Sequence, residues 1–397
     1  MFKQFKAVKA LALVAVFTTG GQLFALGTGG TGGGGSGGGA TGADAAVYGT
    51  ASGYYAYDSV ATTPSSVVTT PTVMAIKTQK IMGLVSAVAA EAVALMQGGE
   101  AVTSGGDGGV KLAGSSGSQH KASAWVRASH AAINNAEKGQ EWNGNSYLMM
   151  LGGDYRFNKM FCAGLGLSYS RLDARTEFNK GTQLEDTLGV NPYLIIVPHK
   201  NFNLELVAGA SWTNGKDTRR IEEGPKATKI NNEFKSSPKS QALFGGVFAN
   251  FINTAGKASY GLQVGYLMMQ TKFKAFKETS ADSAYDVDAK SPPANTFKAG
   301  TVTGKIKAGY QLTPSVVPFV TLHAMYDAQQ NKGAEYAGGP GAGGQKTAYK
   351  VTRSAFGGGG GLGFKGNDTL SGAIEADYTQ RGKLTTWVTG LRLHYGF

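Results

Sequence analysis

The chain has 397 residues, with 38 Lys+Arg against 26 Asp+Glu and a formal net charge of +12. Charged residues make up only 16%, against roughly 25% in ordinary soluble domains, and the 60 glycines are about twice the usual share. A single cysteine excludes an internal disulfide framework and Cys-rich metal centres, the five histidines form no HExxH motif, and a mean hydropathy of −0.15 is too low for a bundle of membrane-spanning helices. What remains is a Gly- and Tyr-rich chain of low charge, a profile that suits an outer-membrane β-barrel.

Residues 1–26 read as a secretory signal peptide. Lys3, Lys6 and Lys9 form the positive start, and Ala10 to Phe17 the apolar run. That run falls far short of the roughly 20 residues a spanning helix needs. No cysteine stands near the expected cleavage site, which excludes a lipoprotein. The mature chain is therefore expected to leave the cytoplasm.

Residues 27–71 form a Gly-rich arm. Gly27 to Gly42 is almost entirely Gly with Thr, Ser and Ala, which cannot bury a core. No strand precedes it and no GK[ST] follows, so a phosphate-cradling loop is excluded. Residues 72–97 are the one strong helix, rich in Ala, Val, Leu and Met and stopped by Gly98–Gly99. Roughly 24 residues at 1.5 Å each give about 36 Å, enough to thread a bilayer-deep pore. A plain amphipathic helix is the alternative, and Lys77, Lys80 and Glu91 argue against a lipid-spanning one. Residues 98–120 are a Gly/Ser linker.

From Lys121 onward the period changes to two, the strand signal. Phe202, Leu204, Leu206, Ala208, Ala210 and Trp212 alternate with Asn203, Glu205, Val207, Gly209 and Ser211. Val302, Ile306, Ala308 and Tyr310 alternate with Thr303, Lys305, Lys307 and Gln311. Leu370, Ile374, Ala376 and Tyr378 alternate with Ser371, Glu375 and Asp377. A soluble sandwich also alternates. These segments, however, are longer than the usual five or six residues of soluble strands, and aromatics recur at their ends as a membrane girdle requires.

Twelve segments are expected, over 122–132, 146–157, 160–174, 184–197, 201–213, 240–252, 257–272, 298–311, 315–327, 349–365, 368–380 and 384–397. The fold class that follows is all-β: an antiparallel transmembrane β-barrel of about 12 strands over 121–397, preceded by one α-helix and a disordered arm. Short connections alternate with long ones around 133–145, 214–239, 273–297 and 328–348. Short turns belong on the periplasmic side and long loops outside, which places both ends of the barrel in the periplasm.

The last segment places Thr385, Trp387, Thr389, Leu391, Leu393, Tyr395 and Phe397 on one face, and Arg392, His394 and Gly396 on the other. An apolar alternation ending on a terminal aromatic resembles the signal read by the barrel-assembly machinery, carried here by Leu391, Leu393, Tyr395 and Phe397.

Two further stretches narrow the resemblance. Trp125-Val-Arg127 opens the first strand. Gly152-Gly-Asp154-Tyr155-Arg156-Phe157 runs into Gly164-Leu-Gly-Leu-Ser-Tyr169-Ser. With the terminal Phe397, residues 121–397 resemble the β-domain of autotransporters, the type V secretion proteins. That resemblance implies a signal peptide, an exported passenger, a helix in the pore and a translocator barrel. It also implies periplasmic chaperones and the barrel-assembly machinery as partners. Two features depart from the family pattern: the linker at 98–120 and the near absence of a passenger. Some members cleave themselves at an Asn pair in the pore helix. Residues 72–97 contain no Asn, so that reaction is not carried over.

Glu205, Lys305, Lys307, Glu375, Asp377 and Arg392 are expected to face the lumen, with acids and bases mixed. His130, His323 and His394 lie on separate strands with no Ser/His/Asp or paired-acid motif around them, and Cys162 reads as an incidental small lumen residue. An enzyme is not expected, and neither is a cofactor or bound metal. The basic stretch Lys216–Lys239 would meet the phosphates of lipopolysaccharide. No motif supports nucleic-acid binding. The sequence therefore predicts a monomeric translocator in the outer membrane of a Gram-negative-type bacterium, showing its short N-terminal segment at the surface. The alternative is a passive porin-like channel, or a structural or adhesive barrel without a passenger.

Overall fold

The computed structural model describes Thr69 and residues 121–397, apart from 138–139, 224–229, 281–290, 331–335, 338–345, 348–351 and 367–368. The expected signal peptide, arm, helix and linker lie outside the described residues, except for Thr69, which is helical.

The described strands are β1 (Ala122–Asn135), β2 (Trp142–Arg156), β3 (Phe161–Thr176), β4 (Gly181–His199), β5 (Phe202–Glu223), β6 (Ile230–Ser236), β7 (Lys239–Ala255) and β8 (Ala258–Phe273). They continue with β9 (Thr279–Ser280), β10 (Asn295–Tyr310), β11 (Val316–Gln330), β12 (Tyr336–Ala337), β13 (Lys346–Thr347), β14 (Ser354–Lys365), β15 (Leu370–Arg381) and β16 (Leu384–Gly396). Twelve of them close an antiparallel ring in chain order, leaving β6, β9, β12 and β13 as short extras. Closure joins β1 to β16, with Ser123 opposite Gly396 and Asn135 opposite Leu384. Each of the twelve expected segments overlaps one ring strand, and several strands run beyond the expected bounds. Closure leaves no unpaired edge, which a backbone in lipid cannot tolerate.

The outer ends differ from expectation. The loop expected at 133–145 is shorter, because β1 runs to Asn135 and β2 starts at Trp142. The loop expected at 214–239 is largely strand. Extended β5 pairs with β6, Asp217 opposite Ser236, and β9 adds two residues beyond. Polar side chains on both faces hide such an extension from a reading based on lipid-facing alternation.

What holds this extension is a buried ion pair. Arg219 and Glu278 are both buried, with Nε and Nη2 of Arg219 donating to the Glu278 carboxylate at 2.7–3.1 Å. The guanidinium also lies 4.1 Å from the centroid of the buried Phe234 ring. Three turns carry a positive φ: Gly256 at 59° and Gly382 at 60°, each starting a two-residue connection, and Lys180 at 49° just before β4.

The outward face is apolar and framed by aromatics. Tyr147 and Tyr155 on β2, Phe161 and Tyr169 on β3, and Trp387 and Tyr395 on β16 are exposed pairs, each eight residues apart. Eight residues at about 3.4 Å, tilted by about 40°, give roughly 21 Å along the axis, close to the apolar band of an outer-membrane barrel. Between the pairs stand exposed Met149, Leu151, Leu165, Leu167 and Leu391. Among the described residues, no helix is long and apolar enough to cross a membrane.

Candidate functional site: the barrel lumen

Alternation that sends Leu206 and Trp212 outward sends Asn203, Glu205, Val207, Ser211 and Thr213 inward, and all five inner residues are buried. Toward the periplasmic end, Trp125, Met150, Cys162, Tyr193, Ile195 and Phe248 belong to one buried cluster. Trp125 Nε1 donates to Tyr193 Oη at 3.0 Å, and Tyr193 Oη donates to Asp154 Oδ2 at 3.1 Å. Ser123 donates to the other carboxylate oxygen at 2.6 Å. The hydroxyl end of the Tyr193 ring lies over Gly164 of the neighbouring strand, where an added Cβ would fall 2.1 Å from Cζ.

A charged belt sits beside this cluster. Glu375 on β15 accepts from Arg127 on β1, reaching across β16. Arg392, Lys305 and Lys307 also lie close enough to act on that carboxylate. Lys307 is buried, with Nζ 4.0 Å from the Phe319 ring centroid. Arg392 and His394 are buried on β16, and Glu205 is fully buried on β5. Lys305 stands in register with His323 and Gln263.

The belt continues toward the outer mouth as hydrogen-bonded polar groups. His323 Nδ1 lies 3.5 Å from Asp377 Oδ2, and its Nε2 is 3.0 Å from Thr379 Oγ1. These side chains meet over β14, whose Gly357 and Gly359 leave the gap between β11 and β15. Arg381 pairs with Asp327, which accepts from Thr301 at 2.8 Å. Back at the periplasmic end, Asn203, Asn250 and Gln263 form a buried amide ladder with 2.8 Å links. His130, by contrast, stacks on Tyr147 and accompanies Asn145 on the outward face. Among the described residues, no group of three His, Cys, Asp or Glu side chains is placed to hold a metal ion.

The lumen groups are thus drawn from strands far apart in sequence. Arg127, Asp154, Tyr193, Asp327 and Arg381 were not among the residues that alternation alone singled out. Arg127 and Asp154 did stand in the quoted Trp-Val-Arg and Gly-Asp-Tyr stretches, and that was the available signal.

One contact enters this lumen from outside the barrel sequence. Thr69 is fully buried, and its hydroxyl donates to the side-chain oxygen of Gln183. Gln183 is itself buried and donates to Glu185 at 2.6 Å. It lies near the start of β4, at the end of the ring opposite Ala122 and Gly396.

The family model for the autotransporter β-domain matches residues 124–377. The chain belongs to the autotransporter β-domain family. Among solved structures, it resembles the translocator domain of the autotransporter NalP from Neisseria meningitidis at 12% identity. That match covers 70% of this chain and 88% of that one with a TM-score of 0.57, and at this identity it speaks for the fold. The β-domain of a Bordetella autotransporter matches at 12% identity over 70% of this chain and all of that one, with a TM-score of 0.49. Among curated proteins, none matches in sequence. As an autotransporter β-domain, this chain forms an outer-membrane translocator barrel of a Gram-negative bacterium.

Proposed function

We propose that the barrel delivers its own Gly-rich arm to the cell surface, with residues 70–120 returning through the lumen to Lys121. The observation that carries this reading is Thr69 beside Gln183 at the outer mouth. Lys121 lies at the periplasmic end, where Arg156 donates to its carbonyl. The chain must cover the barrel's height between them. The predicted helix at 72–97, about 36 Å long, matches a strand of fifteen residues tilted by about 40°, roughly 38 Å. Residues before Thr69 are then left outside.

The lumen belt is the surface such a helix would meet. Its cations gather around Glu375, with Arg127 paired to it and Lys307 over the Phe319 ring, so the belt is held by the barrel's own groups while a segment of Ala, Val, Leu and Met passes. The work comes from folding and insertion, and no catalytic step is part of this reading. Leu391, Leu393, Tyr395 and Phe397, on one face at the end of the chain with Leu393 half-buried and the other three exposed, are the side chains a barrel-assembly receptor would read.

Thr69→Cys with Gln183→Cys, in a Cys162→Ala background, tests the placement. A short bifunctional thiol reagent is expected to link the two cysteines in cells and retard the denatured protein on a gel. Two cysteines that each react singly, with no link formed, would contradict a threaded lumen. A passive channel would also show steady conductance unaffected by deletion of 70–97.

A further inference from the structure

The outer rim carries a basic cleft that transport of the arm does not use. Lys274 donates its backbone N–H to the Lys239 carbonyl at 2.9 Å, forming the last rung between β7 and β8. With Lys235 and Lys277 these residues line a cleft of about 420 Å³, completed by Ser236, Ser237 and Thr279. All four lysines are exposed, and no acidic residue lines the cleft. Lys235 gives one bond to Glu233 at 3.1 Å, which Arg220 shares at the same distance. Lys239, Lys274 and Lys277 pair with no carboxylate among the described residues.

Position decides what this cleft meets. Alternation places Lys239 on the same outward face as Leu243, which is 61% exposed, and Lys274 on the face of Met268, 55% exposed. Trp212, in the outer aromatic belt, stands in register with Gln241, so Lys239 lies one same-face position beyond the belt. That is about 7 Å further along the strand, the depth of lipid headgroups. Four ammonium groups at one cleft, with no carboxylate among its lining, suit a phosphate monoester, and the apolar face directly below suits the acyl chains of its lipid.

We propose that this cleft binds a phosphate carried on a glycolipid headgroup of the outer leaflet. The assignment depends on which rim faces outward and not on export of the arm, so the two can fail separately.

The test uses the full chain folded in nonionic detergent. Bis-phosphorylated lipid A, its dephosphorylated form and inorganic phosphate are titrated, and bound ligand is read by native mass spectrometry. One lipid A is expected to bind, and the Lys239→Gln/Lys274→Gln/Lys277→Gln variant is expected to bind it at least about tenfold more weakly. The corresponding triple arginine variant retains binding. Lys277→Gln alone, outside any strand, gives a smaller loss in the same direction should the triple variant fail to fold. Unchanged affinity in the glutamine variants, or equal binding of the dephosphorylated lipid, would overturn the proposal. So would inorganic phosphate competing at the same concentration as lipid A, which would mark a free-anion site.

Discussion

Glu375→Ala is expected to destabilise the barrel by about 3–5 kcal/mol, because it leaves buried cations without their counter-charge. Glu375 is the acid at which Arg127, Arg392, Lys305 and Lys307 converge. The Arg127 and Glu375 side chains are only 10% and 15% exposed, so solvent screening is weak. Glu375→Gln keeps the shape and still accepts a hydrogen bond, so its cost isolates the charge. Arg127→Met in the Glu375→Ala background should recover part of the loss, since one unpaired cation is then removed. Urea midpoints in detergent, read by the heat-shifted mobility of folded barrels, complete the double-mutant cycle. Equal midpoints for wild type and Glu375→Ala would remove the charged belt from the account of lumen stability.

Gly164→Val carries the second large effect. Even a methyl group at this position would sit 2.1 Å from Tyr193 Cζ and 2.3 Å from its hydroxyl oxygen. Tyr193 is 4% exposed and holds hydrogen bonds to both Trp125 and Asp154, so it cannot swing aside without breaking them. Overpacking of this kind costs about 1–3 kcal/mol, and the lost hydrogen bonds add about 1 kcal/mol each. Gly164→Val should therefore sharply reduce the folded fraction in membranes. Tyr193→Ala in the same chain should restore much of it by vacating the space. A Gly164→Val barrel with wild-type yield and midpoint would mean that the ring does not rest on β3.

How much of this was legible in the sequence depended on what each residue faces. All twelve ring strands lie within or across the expected segments, because lipid forces apolar side chains onto every second position between aromatic belts. Phe161–Tyr169 and Trp387–Tyr395 show that rule in single strands. Outside the bilayer the rule lapses. The β5 extension, β6 and β9 are fixed instead by Arg219, Glu278 and Phe234, a contact that no local pattern announces.

The lumen is harder to read. Glu205, Lys305, Lys307, Glu375, Asp377 and Arg392 were singled out as polar positions opposite apolar ones. Their partners were not, because closure brings Arg127 next to Glu375 across 248 positions of sequence. His323 meets Asp377 only because β14 between them presents glycine. Neither distance is written in any window of the chain.

The central claim, that this barrel places its N-terminal arm on the cell surface, is tested most directly by an epitope tag near Ala43. Intact cells are labelled with an impermeant antibody, beside a periplasmic marker that reports leakage. Labelling of intact cells with the marker silent is the result predicted. Labelling only after the outer membrane is breached, with the barrel folded and inserted, would contradict it and leave a barrel that exports nothing.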